Sequence, residues 1–365
     1  ALGELRALLP ATRGMIVSVG LPLLHHNALF NAAALLCDGE LLGFVAKRHL
    51  AGDGIHYEPR WFKAWPEAVR GQYELDGRRF PIGDVFFDCG GVRIGFEICE
   101  DAWVARRPGA EQALKGVDVL LNPSASHFAF GKQGIRSRFV LEGSRAFNVT
   151  YVYANLLGNE AGRAVYDGGA LIASAGRMLA VGRRFSYEDV LVTSAVVDVE
   201  LTRMGQVRTA SFRPALAEAP AGEVHAAFTW PDVEPEPEAT ALEAWEESPR
   251  LQEEEFLRAQ TLALFDYGRK SRSGGFVVSL SGGADSAVCA TLVALMVELG
   301  SRELGLARFV RKFGLRAEPT SVQQTVRALL VCAYQATRNS GAVTRNAARA
   351  VAESIGAEYH ELDVD

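Results

Sequence analysis

The stretch GFEICEDAW, residues 95–103, sets a thiol between two carboxylates, Glu97 and Glu100. The thiolate is the nucleophilic form of cysteine, and negative neighbours disfavour it, so chemistry at Cys99 needs a cation close by. The run FVAKRHL supplies Lys47 at the end of a β-like apolar segment. Its ammonium would lower the thiol pKa and stabilise a tetrahedral oxyanion. VRIGFEIC alternates as a strand does, which predicts Glu97 on the face of Cys99 and Glu100 at the start of the turn beyond. A nucleophile at a strand end also leaves the following N–H groups free to receive an oxyanion. Cys37, Cys89, Cys289 and Cys332 read as packing residues, and the seven histidines show no metal-ligand spacing.

A second candidate site is SLSGGADSAV, in which Ser281-Gly282-Gly283-Ala284-Asp285-Ser286 joins a β-run to a helix. Backbone N–H groups at such a junction bind phosphate, and glycines let the backbone approach the anion. The pattern is neither G-x-x-x-x-G-K-[ST] nor G-x-G-x-x-G, which disfavours a γ-phosphate-transferring NTPase and a dinucleotide fold. Asp285 in the first helical turn would repel a pyrophosphate unless a divalent cation bridges the two, so Mg2+ is expected there.

The elements that must position these residues fall into two sets. The first two hundred residues are short apolar runs broken by turn signals at Asp38-Gly39, Cys89-Gly90-Gly91 and Ala175-Gly176, with helical spacing over 131–148. The run at 117–121 is apolar enough to be a strand covered on both faces, and the whole suggests a layered α/β sandwich. From about Arg208 the chain turns rich in Pro, Ala and Glu and reads as an extended connector. Beyond it, helix, strand, Gly-rich turn, helix, strand, helix and strand follow in the order of a parallel sheet. The expected division is 1–207, a linker 208–250, and 251–365.

With 365 residues, 48% hydrophobic and 22% charged, the chain has room for two globular domains. A net charge of -6 argues against bulk attraction to nucleic acid or an anionic membrane, and no apolar run reaches 18 uninterrupted residues. Five scattered cysteines without CxxC spacing fit a reducing, cytoplasmic setting. ALGELRALLPATRG reads as the last turns of an amphipathic helix without an initiating methionine, and the third strand of the C-terminal sheet is only beginning at residue 365; both ends are expected to be cut.

The strand-SGGxDS-helix motif is similar to the pyrophosphate loop of the N-type ATP pyrophosphatases. The resemblance implies ATP held by Ser281, Gly282, Gly283, Asp285 and Ser286, with magnesium at Asp285. Lys47 in AKRHL and Cys99 in EICED resemble the nitrilase superfamily, whose amidases use a Glu, Lys and Cys triad in an α-β-β-α sandwich. Glu58 in YEPRWF falls where that family often carries a further active-site glutamate, although AGDGIH departs from its usual loop. NPSASHFAFGK resembles the glutamine-binding segment of the glutaminase members and places Ser126 and Lys132, while Glu100 and Trp103 fall where those members line the pocket.

The two motifs together resemble the glutamine-dependent NAD synthetases. That likeness implies a nitrilase-like sandwich followed by an incomplete doubly wound parallel α/β domain. It also implies glutamine, ATP and nicotinic acid adenine dinucleotide as substrates, Ser340 and Thr344 beside the ATP cleft, a homo-oligomer, and no nucleic-acid or membrane partner. Ammonia would pass between the sites through the protein interior. The family's general-base glutamate lies N-terminal to its lysine, in a segment absent before Ala1, so weak or no activity is expected of this chain alone. Another glutamine-fed adenylating amidotransferase, or a scaffold derived from one, remains open.

Overall fold

Alternation and turn chemistry build the first set of strands, as the sequence predicts. In the computed structural model, which describes residues 1–160, 164–216 and 222–364, the N-terminal strands are β1 (Ile16–His25), β2 (Ala28–Cys37), β3 (Glu40–Ala46), β4 (Arg70–Leu75) and β5 (Arg78–Gly83). They form one sheet in the order β1-β2-β3-β5-β4. Asp38 and Gly39 both adopt positive φ, 47° and 87°, in the β2–β3 hairpin, the conformation a tight two-residue turn requires. His26-Asn27 and Asp76-Gly77 do the same in two further hairpins.

Next come β6 (Phe86–Cys89), β7 (Val92–Phe96), β8 (Val119–Ser124), β9 (Thr150–Asn155), β10 (Leu157–Glu160), β11 (Ala164–Asp167), β12 (Leu171–Ser174), β13 (Arg177–Val181) and β14 (Glu223–Ala226). A seven-stranded sheet runs β13-β12-β9-β8-β7-β6-β14, with β8 parallel to both neighbours. Between the two sheets lie Leu35 and Val45 from the first, and Phe87, Ile94 and Phe96 from the second. Helix α1 (Leu2–Leu8) covers the outer face of the first sheet through Leu5. On the outer face of the second, α3 (Pro108–Leu114) and α4 (Lys132–Phe147) contribute Ala113 and Val140. A single turn, α2 (Glu58–Trp61), follows β3, and α5 (Val199–Arg208) follows β13. The result is the four-layer α-β-β-α sandwich.

Packing divides the chain into two compact units: Ala1–Leu156, Gly169–Gly182 and Val192–Ala241 form one, and Leu157–Gly168, Arg183–Leu191 and Leu242–Asp365 the other. This division does not follow composition. Residues 157–168 and 183–191, expected with the sandwich, join the C-terminal unit, while β14 lies inside the expected linker and pairs in parallel with β6. The reason is polar: buried Arg184 pairs with Asp167 and with Glu255, and Asp266 accepts the Asn159 N–H at 2.8 Å.

The C-terminal unit holds α6 (Leu251–Ser271), β15 (Phe276–Ser279), α7 (Ala284–Leu304), α8 (Leu306–Phe313), α9 (Val322–Leu329), β16 (Leu330–Ala336), α10 (Ala342–Ile355) and β17 (Glu358–Asp363). β15, β16 and β17 form a parallel sheet in that order. By length and hydropathy α7 could cross a bilayer, but here Ala290, Val293, Met296 and Val297 lie in the core of this unit.

Candidate active site

Lys47 leaves the end of β3 with only 2% of its surface exposed. A buried ammonium needs a counter-charge, and Glu58, at the first position of α2, lies 2.5 Å from Nζ. The Glu58 carboxylate also accepts from Asn31 Nδ2 at 2.7 Å and from the Ala51 N–H at 2.6 Å. Its lone pairs are therefore committed to holding the lysine and the loop that carries it. Arg48 anchors the same segment by ion pairs to Asp84 at 2.9 Å and Glu111 at 2.7 Å.

Cys99 begins a 3-10 turn, Cys99–Ala102, at φ 49°. That left-handed conformation costs a non-glycine residue about 1–3 kcal/mol and persists where neighbours over-determine it. Here the Cys99 N–H donates to Asn122 Oδ1 at 3.2 Å, and the Ile98 N–H donates to Asp101 Oδ2 at 3.1 Å. Asn122 is itself held by its Nδ2 donating to the Tyr151 hydroxyl at 2.8 Å.

The expected shared face of Glu97 and Cys99 is not found. β7 ends at Phe96, and the left-handed turn at Cys99 breaks the alternation. Glu97 is fully buried on the helix side, bound by Arg107 at 2.5 Å, the Tyr151 hydroxyl at 2.5 Å and the Gly109 N–H at 3.1 Å. A Cβ at Gly109 would sit 2.8 Å from that carboxylate, so glycine is required for the approach. Cys99 instead contacts the core between the sheets. The carboxylate nearest in sequence on its N-terminal side is thus neutralised by Arg107.

Cys99, Glu100, Trp103, Ser126 and Lys132 line one cavity of about 290 Å³ together with Asp53, Gly54, His56 and His127. Four of those five residues were expected there from the glutaminase-like segments, and the fifth is the thiol itself. Lys132 Nζ lies 5.5 Å from the centre of the Trp103 ring. Ser126 is fixed by its N–H donating to Asn155 Oδ1 at 2.8 Å, while the buried Arg136, one helical turn beyond Lys132, donates to the Ser126 and His127 carbonyls. Burial raises the Glu100 carboxyl from its ordinary value; the Lys47 ammonium opposes this, and Glu58 and Asp53 add to it. Burial and the Lys132 charge lower the His56 imidazole. The ammonium groups of Lys47 and Lys132 and the carboxylates of Glu100, Glu58 and Asp53 therefore act on the same cavity.

The C-terminal unit builds the second candidate site at the carboxyl ends of β15 and β16, where open parallel sheets bind ligands. Gly282 adopts φ 82°, and a Cβ there would lie 2.4 Å from the Thr344 carbonyl oxygen, so the loop and the first turn of α10 meet closely. The Ser281 and Ser286 hydroxyls are 3.2 Å apart, Ser286 Oγ donates to the Gly283 carbonyl, and Gly283 precedes α7. Asp285 is exposed in the first turn of α7. On the other wall, Thr344 Oγ1 contacts the Tyr334 hydroxyl at 2.9 Å, and Ser340 Oγ accepts the Thr337 N–H at 2.9 Å.

Residues 4–209 match the carbon-nitrogen hydrolase family. The chain belongs to that family. Over nearly its whole length, this domain included, the chain is similar to longer proteins: it is 31% identical over 98% of its residues to a glutamine-dependent NAD(+) synthetase of Macaca fascicularis, and 31% identical over 97% to one of Saccharomyces cerevisiae. It covers 53% and 52% of those proteins, so the chain spans about half the length of the curated relatives it matches. Among solved structures, a glutamine-dependent NAD(+) synthetase from Cytophaga hutchinsonii aligns over the whole chain and 54% of its own, with TM-score 0.79 and 37% identity. The enzyme from Acinetobacter baumannii in complex with adenosine diphosphate shares the fold, with TM-score 0.64 and 18% identity over 53% of its length.

Sequence reasoning missed Asn122, Asp101, His56, His127 and Arg136. Their partners lie on other elements: Asn122 meets Cys99 across β7 and β8, and His56 meets His127 at 2.9 Å across 71 residues. Only Arg136, four residues after Lys132 on one helix, left a readable spacing.

Proposed function

We propose that this chain carries the two sites of a glutamine-hydrolysing NAD(+) synthetase. The observation that carries the reading is the convergence of Cys99, Glu100, Trp103, Ser126 and Lys132 on one cavity, in a chain that also holds the SGGADS loop. The Cys99 sulfur attacks the glutamine carboxamide carbon, the proton of the thiol passes to the amide nitrogen, the C–N bond breaks, and ammonia leaves a γ-glutamyl thioester on Cys99. Water then hydrolyses the thioester to glutamate. Because the Cys99 N–H is already donated to Asn122, the oxyanion is met by the Lys47 ammonium and the Glu100 N–H. Glu58 holds Lys47, while Glu100, Ser126 and Lys132 orient the α-amino and α-carboxylate groups of the substrate.

At the second site, Ser281, Gly282, Gly283 and Ser286 bind the ATP phosphates, with Ser340 and Thr344 on the facing wall. An exposed carboxylate beside the N–H groups of a helix start is a donor set that fits magnesium bridging to a pyrophosphate. Asp285 would hold that ion, which when bound neutralises the leaving pyrophosphate. Nicotinic acid adenine dinucleotide is the acceptor, adenylated and then amidated by glutamine-derived ammonia to give NAD, AMP and pyrophosphate. A cytoplasmic homo-oligomer completes the reading.

The test is a reaction with amide-15N glutamine, ATP, Mg2+ and nicotinic acid adenine dinucleotide, followed by mass spectrometry. Label that does form is expected in the carboxamide of NAD, and at low yield from this chain alone. Turnover with a different carboxylate in its place would assign another amidotransferase.

A further inference from the structure

We propose that Asp101 is a positioning residue that locks the segment carrying Lys47 to the turn carrying Cys99. This rests on the reading of Cys99 as nucleophile and Lys47 as its cation. Asp101 is 3% exposed, and its two oxygens serve different parts of the chain. Oδ2 accepts the N–H of Ile98, the residue before Cys99, at 3.1 Å. Oδ1 accepts the N–H of His49, two residues after Lys47, at 2.8 Å, and lies 2.9 Å from His49 Nδ1.

A carboxylate at the third position of a helical turn commonly caps the turn's own first N–H, and Oδ2 does this. That local role needs one oxygen and leaves the other to solvent. Here the second oxygen is buried and committed to a segment 52 residues away. A buried carboxylate with both oxygens satisfied fixes the two backbones relative to each other, because releasing either N–H leaves a desolvated donor. The link matters because the strained Cys99 turn and the lysine strand belong to different sheets. Glu58 orients the ammonium within the lysine segment; Asp101 sets where that segment stands against the thiol.

Several charges face the Cys99 turn: Glu100 and Asp101 on the turn itself, Lys47 from β3, Glu58 from α2, His49, Asp53 and His56 from the intervening loop, and His127 and Lys132 from the other wall. Among these, loss of the Asp101 charge alone would lower the thiol pKa, since a negative neighbour disfavours thiolate. Loss of the lock moves Lys47 away and raises it. The two roles therefore differ in sign.

The experiment measures the pH dependence of Cys99 alkylation by iodoacetamide in the 365-residue chain, read on the Cys99 peptide by mass spectrometry. Lys47→Met is the yardstick and is expected to raise the apparent thiol pKa by about one unit. Asp101→Asn is expected to raise it by at least half the Lys47→Met effect, with circular dichroism unchanged. If Lys47→Met raises the pKa while Asp101→Asn leaves it unchanged or lowers it, the lock is refuted. If Lys47→Met itself has no effect, the pairing of Lys47 with Cys99 fails and the lock falls with it. Should Asp101→Asn not fold, Asp101→Glu keeps the charge but misplaces the oxygens; a rise supports the lock, and an unchanged value overturns it.

Discussion

Glu58 is the carboxylate on which Lys47 depends. Glu58→Gln leaves a buried ammonium without its counter-charge, and breaking such a pair costs about 3 kcal/mol. Urea unfolding should show that loss; a change under about 0.5 kcal/mol would mean the pair behaves as a surface one. Glu100 gives a prediction of opposite kind. Burial raises its carboxyl in the folded protein, so between the ordinary Glu value of about 4.3 and the raised one the folded state binds more protons than the unfolded. Stability from this group therefore falls as pH rises through that window, and the cost persists above it. Glu100→Gln should remove the fall, seen as a flatter profile of urea midpoint against pH than that of the unaltered protein; parallel profiles would contradict it. Residues that local pattern singles out, such as Cys99, Lys47 and Lys132, are legible in the sequence as candidates. Those that act by completing another residue's hydrogen bonds, such as Asn122 and Asp101, were not, because their partners are set by sheet order.

Turns decide what the elements present. Asp38-Gly39, Gly90-Gly91 and Ala175-Gly176 are readable because each carries a glycine, which tolerates positive φ, and all adopt it. His26-Asn27 turns in the same way without a glycine and escaped notice. The helices α8 and α9 were also missed, since each is only eight residues long and a Pro-containing loop separates them. Gly282 carries the element-scale prediction for the second site. Gly282→Ala would strain φ 82° and drive a methyl against the Thr344 backbone, separating the loop from the first turn of α10. The expected outcome is a stability loss of more than about 1 kcal/mol and a loss of at least tenfold in ATP affinity by calorimetry. Unchanged affinity would show that the close approach is not needed for the nucleotide.

At the scale of the molecule, motifs singled out two candidate sites, but composition did not locate the packing boundary between the units. The Pro- and Glu-rich stretch after Arg208 suggested a linker, yet β14 within it extends the seven-stranded sheet, and buried Arg184 and Asp266 draw residues 157–168 to the C-terminal unit. Such choices depend on which buried charges find partners, and these partners are about 60–110 positions apart on another element. The two sites should nonetheless be chemically separable. Asp285→Asn is expected to abolish Mg2+-dependent ATP binding, measured by calorimetry, and to leave Cys99 reactivity within about twofold. The central claim, that Cys99 is the nucleophile of a glutamine-binding cavity, is tested most directly by intact-mass and peptide analysis after exposure to a glutamine analogue bearing an electrophile at the carboxamide position. The account predicts one adduct, on Cys99, suppressed by excess glutamine and absent from Cys99→Ala. Labelling of the exposed Cys289 instead, or of Cys99 without protection by glutamine, would contradict it.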